Sequence, residues 1–361
     1  MITEKDFIFK KTNHQILTGK FCWSAPSNIA LVKYWGKKKN QIPANPSLSF
    51  TLKNCKTITS LFFSKNENQT QLTFEFLFEG SPKPEFDTKI QQFFEKIEPY
   101  CCFLNDFHFK IDTQNTFPHS SGIASSASAM AALSMTIMSL EKAINPTMSD
   151  DYFYQKASFL ARLGSGSACR SVQKKVIVWG NHAEIEGSSD FFGKSIDEHI
   201  HPIFGDFQDC ILLVDKGEKQ VSSSLGHELM VGHPFAERRF EQAHEQISNL
   251  KKVLNTGFLS AFIDIVEREA LTLHAMMMTS MPYFILMKPN TLSIINAVWE
   301  FRNQTQTPLC FTLDAGANVH LLYPKSESEK VLAFIKDKLV GFCQNGSYIC
   351  DEIGIGSEFI F

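Results

Sequence analysis

The chain has 361 residues, of which 43% are hydrophobic and 20% are charged, a composition that excludes a disordered or fibrous protein. The formal net charge of -3 excludes a global basic field that would draw the chain to nucleic acid or anionic lipid. Any anion-binding site must therefore be local, in a chain whose length suits two compact domains.

The nine cysteines are scattered without a C-x-x-C pair, which is not the pattern of a secreted disulfide framework. We interpret them as reduced and mostly buried. The N-terminal residues show no basic cap followed by an apolar run, so we expect no signal peptide. No stretch approaches about 18 uninterrupted apolar residues, the length that a membrane-spanning helix needs. These features favour the cytoplasm.

The first half of the chain mixes predicted strands and helices. Apolar alternation and β-forming residues predict strands at 47–52, 71–78, 107–111 and 176–179. The polar residues 64–70 suggest a hairpin loop before the second of these strands. Helices are predicted at 86–97, 126–143 and 150–160, with Ser149 or Asp150 capping the third and Gly164 ending it.

The second half carries longer helical patterns. Apolar residues recur at helical spacing over 240–254, 261–278, 292–299 and 331–342. Short strands are predicted at 210–214, 284–287, 309–313 and 320–323. Both halves are therefore α+β, and the change of character places a domain boundary near residues 185–205.

The strongest candidate site is residues 117–128, FPHSSGIASSAS, which lead into the helix predicted at 126–143. Small residues let backbone N–H groups approach an anion, and a helix N-terminus carries about half a positive charge. The hydroxyl groups of Ser125 and Ser126 can also contact phosphate oxygens or a magnesium ion. The Walker pattern G-x-x-x-x-G-K-[ST] is absent. A phosphate-binding loop and a serine-rich helix cap both explain the segment.

A second candidate is residues 164–171, GSGSACRS, which place Arg170 among small and hydroxyl-bearing residues. A guanidinium group in such a turn can form paired hydrogen bonds with a carboxylate or a phosphate. The alternative is a flexible turn with a surface arginine.

A third candidate is residues 25–38, APSNIALVKYWGKK, in which Lys33, Lys37 and Lys38 lie beside Tyr34 and Trp35. Lysines that flank aromatic residues can form a site for phosphate groups. The alternative is the end of a strand with solvated lysines.

The fourth candidate is residues 312–318, TLDAGAN, which place Asp314 where a predicted strand meets a loop. A carboxylate in that position can orient or deprotonate a hydroxyl group. The alternative is an aspartate that only forms a turn.

Taken in order, four segments closely resemble the mevalonate diphosphate decarboxylase family of the GHMP kinase superfamily: APSNIALVKYWGK, FPHSSGIASSAS, GSGSACRS and LDAGAN. The resemblance runs from about Trp23 to Tyr323 and includes VSS at 221–223 and LHA at 273–275. KYWGK and GSGSACRS are specific to the decarboxylases, whereas the serine loop alone indicates only the superfamily.

This resemblance implies a two-domain α+β GHMP kinase fold with the active site in the interdomain cleft, between a nucleotide-binding domain at 1–190 and a C-terminal domain at 191–361. It implies ATP-dependent decarboxylation of mevalonate 5-diphosphate to isopentenyl diphosphate, ADP, phosphate and CO₂, a step of isoprenoid biosynthesis. Magnesium would accompany ATP near Ser125 or Ser126, without a fixed protein cage. The family also implies a homodimer, with no nucleic acid or membrane partner.

The resemblance further implies a role for each motif residue. Asp314 would orient the 3-hydroxyl group and accept its proton, and Lys33 would offset charge near the transferring phosphoryl group. Arg170 would hold the substrate carboxylate, and Asn28 would help to position Arg170 or that carboxylate. The substrate diphosphate would be bound by Tyr34, Lys37, Ser165, Ser167 and Ser222. The phosphates of ATP would be bound by Ser120, Gly122, Ser125 and Ser126.

Three positions depart from the family pattern. The residues QKK at 173–175 replace a usual glycine pair, which leaves the backbone beside Arg170 open to change. Ala317 stands where proline is common, and we expect a mild effect there. His119 replaces a small hydroxyl residue, and we expect it to face solvent.

The nearest alternative function is that of a relative acting on mevalonate 5-phosphate, or of one that only phosphorylates the 3-hydroxyl group. A sugar or homoserine kinase would leave KYWGK and GSGSACRS without a role. A non-catalytic binding protein on the same scaffold would be expected to lose Asp314 or Arg170 first, and both are present.

Overall fold

The computed structural model describes residues 2–10, 15–66, 72–118, 123–217 and 223–361. Within these ranges the chain forms two β-sheets and a set of α-helices, which confirms the predicted α+β class. The strands are β1 (Thr18–Val32), β2 (Ser47–Lys65), β3 (Thr73–Phe78), β4 (Ser81–Pro82), β5 (Phe107–Asn115), β6 (Val176–Trp179), β7 (Lys194–Ser195), β8 (Gln208–Leu212), β9 (Cys310–Thr312), β10 (Val319–Tyr323), β11 (Tyr348–Glu352) and β12 (Glu358–Phe359). The helices are α1 (Pro84–Ile97), α2 (Ser125–Ile144), α3 (Asp150–Gly164), α4 (Ser223–Glu228), α5 (Ala236–Thr256), α6 (Leu259–Met278), α7 (Pro289–Thr305) and α8 (Ser328–Phe334).

β1 and β2 are neighbours in the larger sheet, whose main strand order is β12-β1-β2-β5-β3-β4. The first part of β2 pairs with β6, and its later part pairs with β5. The antiparallel pairing of β1 with β2 shifts register between Pro26 and Asn28 and again between Ala30 and Val32. Such irregularities bend a strand, and the residue after Val32 contacts the second half of the chain.

α2 lies against β1 and β2 because its sequence carries apolar or small residues on almost every face. A helix that is apolar all round belongs in a core. α3 packs beside α2 and begins at a predicted cap, where the side chain of Ser149 accepts a hydrogen bond from the N–H of Tyr152. α3 ends at Gly164, as predicted, immediately before the turn that carries Arg170.

The smaller sheet has the order β11-β8-β10-β9 and is antiparallel throughout. α6 packs against β9 of this sheet and against β1 of the larger sheet. One helix therefore contacts a strand from each half of the chain. No helix in the described ranges is both long enough and apolar enough to cross a membrane.

The strand predicted at 284–287 is wrong, because residues 283–288 form neither helix nor strand. Phe284 and Leu286 pack on a small cluster that contains Trp35, whereas Tyr283 and Ile285 are exposed. The alternation of apolar residues here thus reflects one-sided packing and not pairing in a sheet.

The predicted hairpin between β2 and β3 is also wrong, because β5 pairs with both strands and lies between them. Phe107, Phe109 and Ile111 of β5 are completely buried, as suits an interior strand. Residues 67–70 of the proposed hairpin loop lie outside the described residues.

The helix predicted over 331–342 is only partly present. α8 ends at Phe334, and the chain continues as a wider turn through Leu339 and a tighter one through Phe342. All nine cysteines are free thiols and only Cys102 and Cys350 are exposed, which confirms that most are buried.

Candidate active site

Lys33 and Asp314 form an ion pair where the two halves of the chain meet. Lys33 follows the last residue of β1, and Asp314 lies two residues beyond the end of β9. The Nζ atom of Lys33 lies 3.0 Å from Oδ1 of Asp314. Lys33 is only 1% exposed, so the alternative of a solvated lysine is wrong for this residue. The side chain of Asp314 is 31% exposed and can therefore meet a ligand.

The charges around Lys33 oppose the effect of its burial. Burial lowers the pKa of the Lys33 ammonium group, and the carboxylates of Asp314 and Glu269 act in the opposite direction. The positive charge of Arg170 adds to the lowering. Lys33, Asp314 and Arg170 therefore lie close enough for their charges to act on one another. Their positions in the sequence, far apart, could not establish this.

Arg170 lies in a short helical turn, Gly166–Ser171, and is 3% exposed, so the surface-arginine alternative is wrong. Its Nε donates a hydrogen bond of 3.4 Å to Oδ1 of Asn28, and its Nη1 donates to the hydroxyl group of Ser47. The amide nitrogen of Asn28 donates in turn to the hydroxyl group of Ser171 at 2.7 Å. Arg170 is thus held by side chains of β1 and β2.

The QKK segment after Arg170 is fixed by other parts of the chain. The side-chain oxygen of Gln173 accepts a hydrogen bond of 2.9 Å from the N–H of Ser195. The carbonyl of Val172 accepts one of 2.6 Å from the hydroxyl group of Ser357. Lys175 takes a left-handed backbone conformation, with φ of 58°. The departure from the family's glycine pair therefore coexists with a defined backbone beside Arg170.

Ala317, the second departure, is nearly buried, and its carbonyl accepts a hydrogen bond of 2.7 Å from the Thr291 hydroxyl group. His119, the third, lies outside the described residues, so its predicted exposure stays a prediction.

The N-terminus of α2 lies beside the Arg170 turn. Ser125 and Ser126 are the first two residues of α2 and are half-buried. The hydroxyl group of Ser126 lies 3.4 Å from that of Ser165, the residue before Gly166. Ala124, just ahead of the helix, has φ of 45°, a strained conformation for a residue with a side chain that is often retained at functional sites. Ser120 and Gly122 lie outside the described residues.

The donors at this helix end are compatible with a nucleotide and magnesium. Hydroxyl groups and a helix N-terminus suit phosphate oxygens, and Mg²⁺ is usually held through phosphates and water with few protein ligands. The described parts of the chain contain no group of three or more His, Cys, Asp or Glu side chains that could enclose a metal ion.

Of the residues expected to bind the substrate diphosphate, Tyr34, Ser165 and Ser167 lie at the same turn. A Cβ atom at Gly166 would meet the hydroxyl group of Tyr34 at 3.0 Å, a tight contact that favours glycine here. Tyr34 also packs on the ring of His227, with ring centroids 4.1 Å apart.

Lys37 lies 3.7 Å from the carboxylate of Glu228. Ser165 and Ser167 flank Gly166 and are half-buried, whereas Ser222 lies outside the described residues.

Four residues near this site were not predicted from the sequence: His227, Arg239, Glu269 and His274. Arg239 and Glu269 form a completely buried ion pair, with 2.7 Å between Nη2 and Oε2. Oε2 of Glu269 accepts a hydrogen bond of 2.9 Å from the N–H of Lys33. The one available signal was a charged residue at helical spacing within an apolar face, as at Ile265, Glu269 and Leu273.

Two buried histidines predict a loss of stability in acid. Burial lowers the pKa of His227 from 6.5 to about 3 and that of His274 from 6.5 to about 4. Between each lowered pKa and pH 6.5, the unfolded chain binds more protons than the folded chain does. The stability contributed by the two neutral histidines is therefore complete above pH 6.5 and is lost as the pH falls towards the lowered pKa. For His274 alone, the loss between pH 7 and pH 5 is about 2 kcal/mol.

This loss is measured by urea denaturation at pH 7 and pH 5. The His274→Gln variant, which cannot gain the proton, is expected to lose about 2 kcal/mol less than the unmodified chain over that interval. Equal losses in the two proteins would contradict the assignment of a neutral buried His274.

Two family models match this chain. Residues 25–190 match the model of the diphosphomevalonate decarboxylase-like N-terminal domain, and residues 210–353 match that of the mevalonate 5-diphosphate decarboxylase C-terminal domain. The diphosphomevalonate decarboxylase mvd1 of Aspergillus fumigatus is 28% identical over 331 residues, which cover 87% of this chain and 79% of that protein.

Solved structures give the same result. The mevalonate diphosphate decarboxylase from Enterococcus faecalis, described for its mevalonate diphosphate mediated ATP binding mechanism, is 26% identical with a TM-score of 0.79, over 95% of this chain and 99% of that one. The structure of MDDEF in complex with MVAPP, AMPPCP and magnesium is 27% identical with a TM-score of 0.80, over the same shares of 95% and 99%. These matches confirm the GHMP kinase fold that the motifs imply, and the chain belongs to the mevalonate diphosphate decarboxylase family.

Proposed function

We propose that this chain catalyses the ATP-dependent decarboxylation of mevalonate 5-diphosphate to isopentenyl diphosphate, with ADP, phosphate and CO₂ as the other products. The observation that carries the proposal is the Lys33–Asp314 pair, 3.0 Å apart and within the electrostatic field of the buried Arg170. Relatives of this chain are described with mevalonate diphosphate, ATP and magnesium, which supports the same ligands here.

In the first step, the 3-hydroxyl group of the substrate attacks the γ-phosphorus of ATP. The bond between that phosphorus and the β–γ bridging oxygen breaks, and ADP leaves. Asp314, whose side chain is 31% exposed, would accept the hydroxyl proton. Lys33 is buried against it and offsets negative charge as the phosphoryl group moves. The step converts a poor leaving group into a phosphate ester.

In the second step, the tertiary carbon–oxygen bond breaks and phosphate leaves with the bonding electrons. The electrons of the carbon–carbon bond to the carboxylate form the new double bond, and CO₂ is released. Arg170, fixed by Asn28 and Ser47, would hold the carboxylate in line for this elimination. A preorganised guanidinium group does this without the cost of rearrangement during reaction.

ATP would lie with its phosphates at the N-terminus of α2, bound by Ser125 and Ser126 and by Ser120 and Gly122, which precede the helix in the sequence. The positive end of the helix favours the phosphate charge. Magnesium would be held chiefly by the phosphates, near Ser125 or Ser126, and when bound it would neutralise their charge.

The substrate diphosphate would be bound around the Gly166 turn by five residues: Tyr34, Lys37, Ser165, Ser167 and Ser222. Within the described structure, the buried hydroxyl group of Tyr34 has no hydrogen-bond partner. A buried polar group of this kind is costly unless a ligand or water satisfies it. This supports a ligand oxygen beside Tyr34.

The rival functions make different demands on the same residues. An enzyme that only phosphorylates the 3-hydroxyl group would need Asp314 and Lys33 but would have no use for a buried, oriented Arg170. A non-catalytic protein would have no use for the ion pair.

We also propose that the chain divides into a nucleotide-binding domain at 1–190 and a second domain at 191–361. We propose further that it forms a homodimer and is located in the cytoplasm. These proposals rest on the family relationship.

Product stoichiometry tests the proposed function. With ATP, magnesium and mevalonate 5-diphosphate, we expect equal amounts of ADP and isopentenyl diphosphate, and little product from mevalonate 5-phosphate. ADP without an isopentenyl product would identify a 3-kinase. Preference for the monophosphate would overturn the proposed substrate, and no turnover with either compound would favour a binding protein.

A further inference from the structure

Two residues of α6 form hydrogen bonds with the main chain of Lys33 and Asp314, the two members of the ion pair. Glu269 accepts a hydrogen bond of 2.9 Å from the backbone N–H of Lys33. His274, five residues later, donates from Nε2 to the backbone carbonyl of Asp314 at 3.2 Å. Assuming the proposed function, we propose that α6 sets the distance between Lys33 and Asp314 through Glu269 and His274, which are positioning residues for phosphoryl transfer, with Arg239 as the counter-ion of Glu269.

The geometry of a helix explains how one element can do this. Residues five apart in an α-helix are separated by about 7.5 Å along the axis and about 140° around it. Glu269 and His274 therefore face different neighbours. α6 packs against β1, which ends just before Lys33, and against β9, which ends shortly before Asp314. Because the helix is rigid, it keeps the end of β1 and the end of β9 at a fixed distance from each other.

Arg239 and Glu269 together bind both polar groups of the Lys33 main chain. Nη2 of Arg239 donates to Oε2 of Glu269 at 2.7 Å and to the carbonyl of Lys33 at 3.0 Å. Asn45 donates a second hydrogen bond to that carbonyl at 2.9 Å. Lys33 is thereby fixed at both its N–H and its C=O, so its side chain leaves the backbone in one direction.

The chemical nature of this pair favours positioning over simple packing. Arg239 is 1% exposed and Glu269 is 0% exposed, and apolar residues of similar volume commonly fill such a space at no loss of stability. A buried ion pair contributes directed hydrogen bonds that apolar residues cannot make. Here those bonds end on the main chain of the residue that carries the catalytic ammonium group.

Two double variants separate positioning from folding. Arg239→Met with Glu269→Gln removes both charges but keeps an acceptor for the N–H of Lys33. Arg239→Met with Glu269→Leu removes both charges and the acceptor. We expect kcat of the second to be about 10- to 100-fold below that of the first, because misplacement by about 1 Å can cost that much. KM should be similar in the two, and both should be fully folded at the assay temperature.

A second pair of variants tests the other end of α6. His274→Gln keeps a donor near the position of Nε2, and His274→Leu does not. We expect the leucine variant to lose about 10-fold in kcat relative to the glutamine variant. If the Glu269 variants fail to fold, this pair still tests the proposal.

Repeating the Glu269 comparison in a Lys33→Met background provides the decisive control. If Glu269 acts through Lys33, the difference between its two double variants should vanish there, since residues acting as a unit are non-additive. The same ratio of kcat between the two double variants in both backgrounds, or a loss of kcat that follows a fall in the folded fraction, would overturn the proposal.

Crystal structures of the variants give a readout that needs no turnover. The distance from Nζ of Lys33 to Oδ1 of Asp314 should lengthen only in the leucine variants. Failure of the unmodified enzyme to turn over would therefore count against the proposed function and not against this inference.

Discussion

Replacement of Asp314 by asparagine is expected to lower kcat by about 10²- to 10⁴-fold, the range for loss of a general base. Asparagine has nearly the same shape but cannot accept the proton of the substrate hydroxyl group. It also leaves Lys33, which is 1% exposed, without the carboxylate 3.0 Å away. Steady-state kinetics with ATP and mevalonate 5-diphosphate measure the effect, and we expect only a small change in KM.

Asp206→Asn is the matched control for this prediction. Asp206 forms a surface ion pair of 3.8 Å with Lys325, and its side chain is 53% exposed, so its loss should leave kcat unchanged. If Asp314→Asn retained more than about a tenth of the activity, which is outside the range for a general base, Asp314 could not be the base.

Replacement of Arg170 by glutamine is expected to separate the two chemical steps. In the proposed mechanism the guanidinium group holds the substrate carboxylate, so its loss should slow the elimination by about 10²- to 10³-fold. Phosphoryl transfer, which we assign to Lys33 and Asp314, should be slowed less. In rapid-quench experiments ADP should therefore form ahead of isopentenyl diphosphate, and a 3-phosphorylated intermediate should accumulate.

Arg238→Gln serves as the control for Arg170. Arg238 carries the same charge, but its side chain is 80% exposed, and we expect the two products to form together in that variant. Thermal unfolding of Arg170→Gln excludes a general loss of structure. Equal slowing of both products would show that Arg170 does not act selectively on the elimination.

The sequence was most informative where the signals are local. α3 was located by the cap at Ser149 and the stop at Gly164, and α2 by its unbroken run of small and apolar residues. One failure concerns partners that are distant in the chain. The residues before β3 suggested a hairpin, but only the fold shows that β5 lies between β2 and β3.

The candidate site shows the same division. The motifs identified Lys33, Arg170 and Asp314, because each lies in a segment with its own chemical character. They did not identify Glu269, which is 236 positions from Lys33 in the chain and bonded to its backbone. A lone glutamate on a helix carries no sign of the main-chain group that it will contact. His274 was noted only as part of LHA, without the carbonyl that it binds.

In the proposed reaction, one site first phosphorylates the 3-hydroxyl group and then expels it as phosphate. Turnover of mevalonate 5-diphosphate labelled with ¹⁸O at the 3-hydroxyl group tests this directly by mass spectrometry of the products. We expect one labelled oxygen in each released phosphate and none in ADP or water. Unlabelled phosphate, with the label in water, would contradict the proposed reaction.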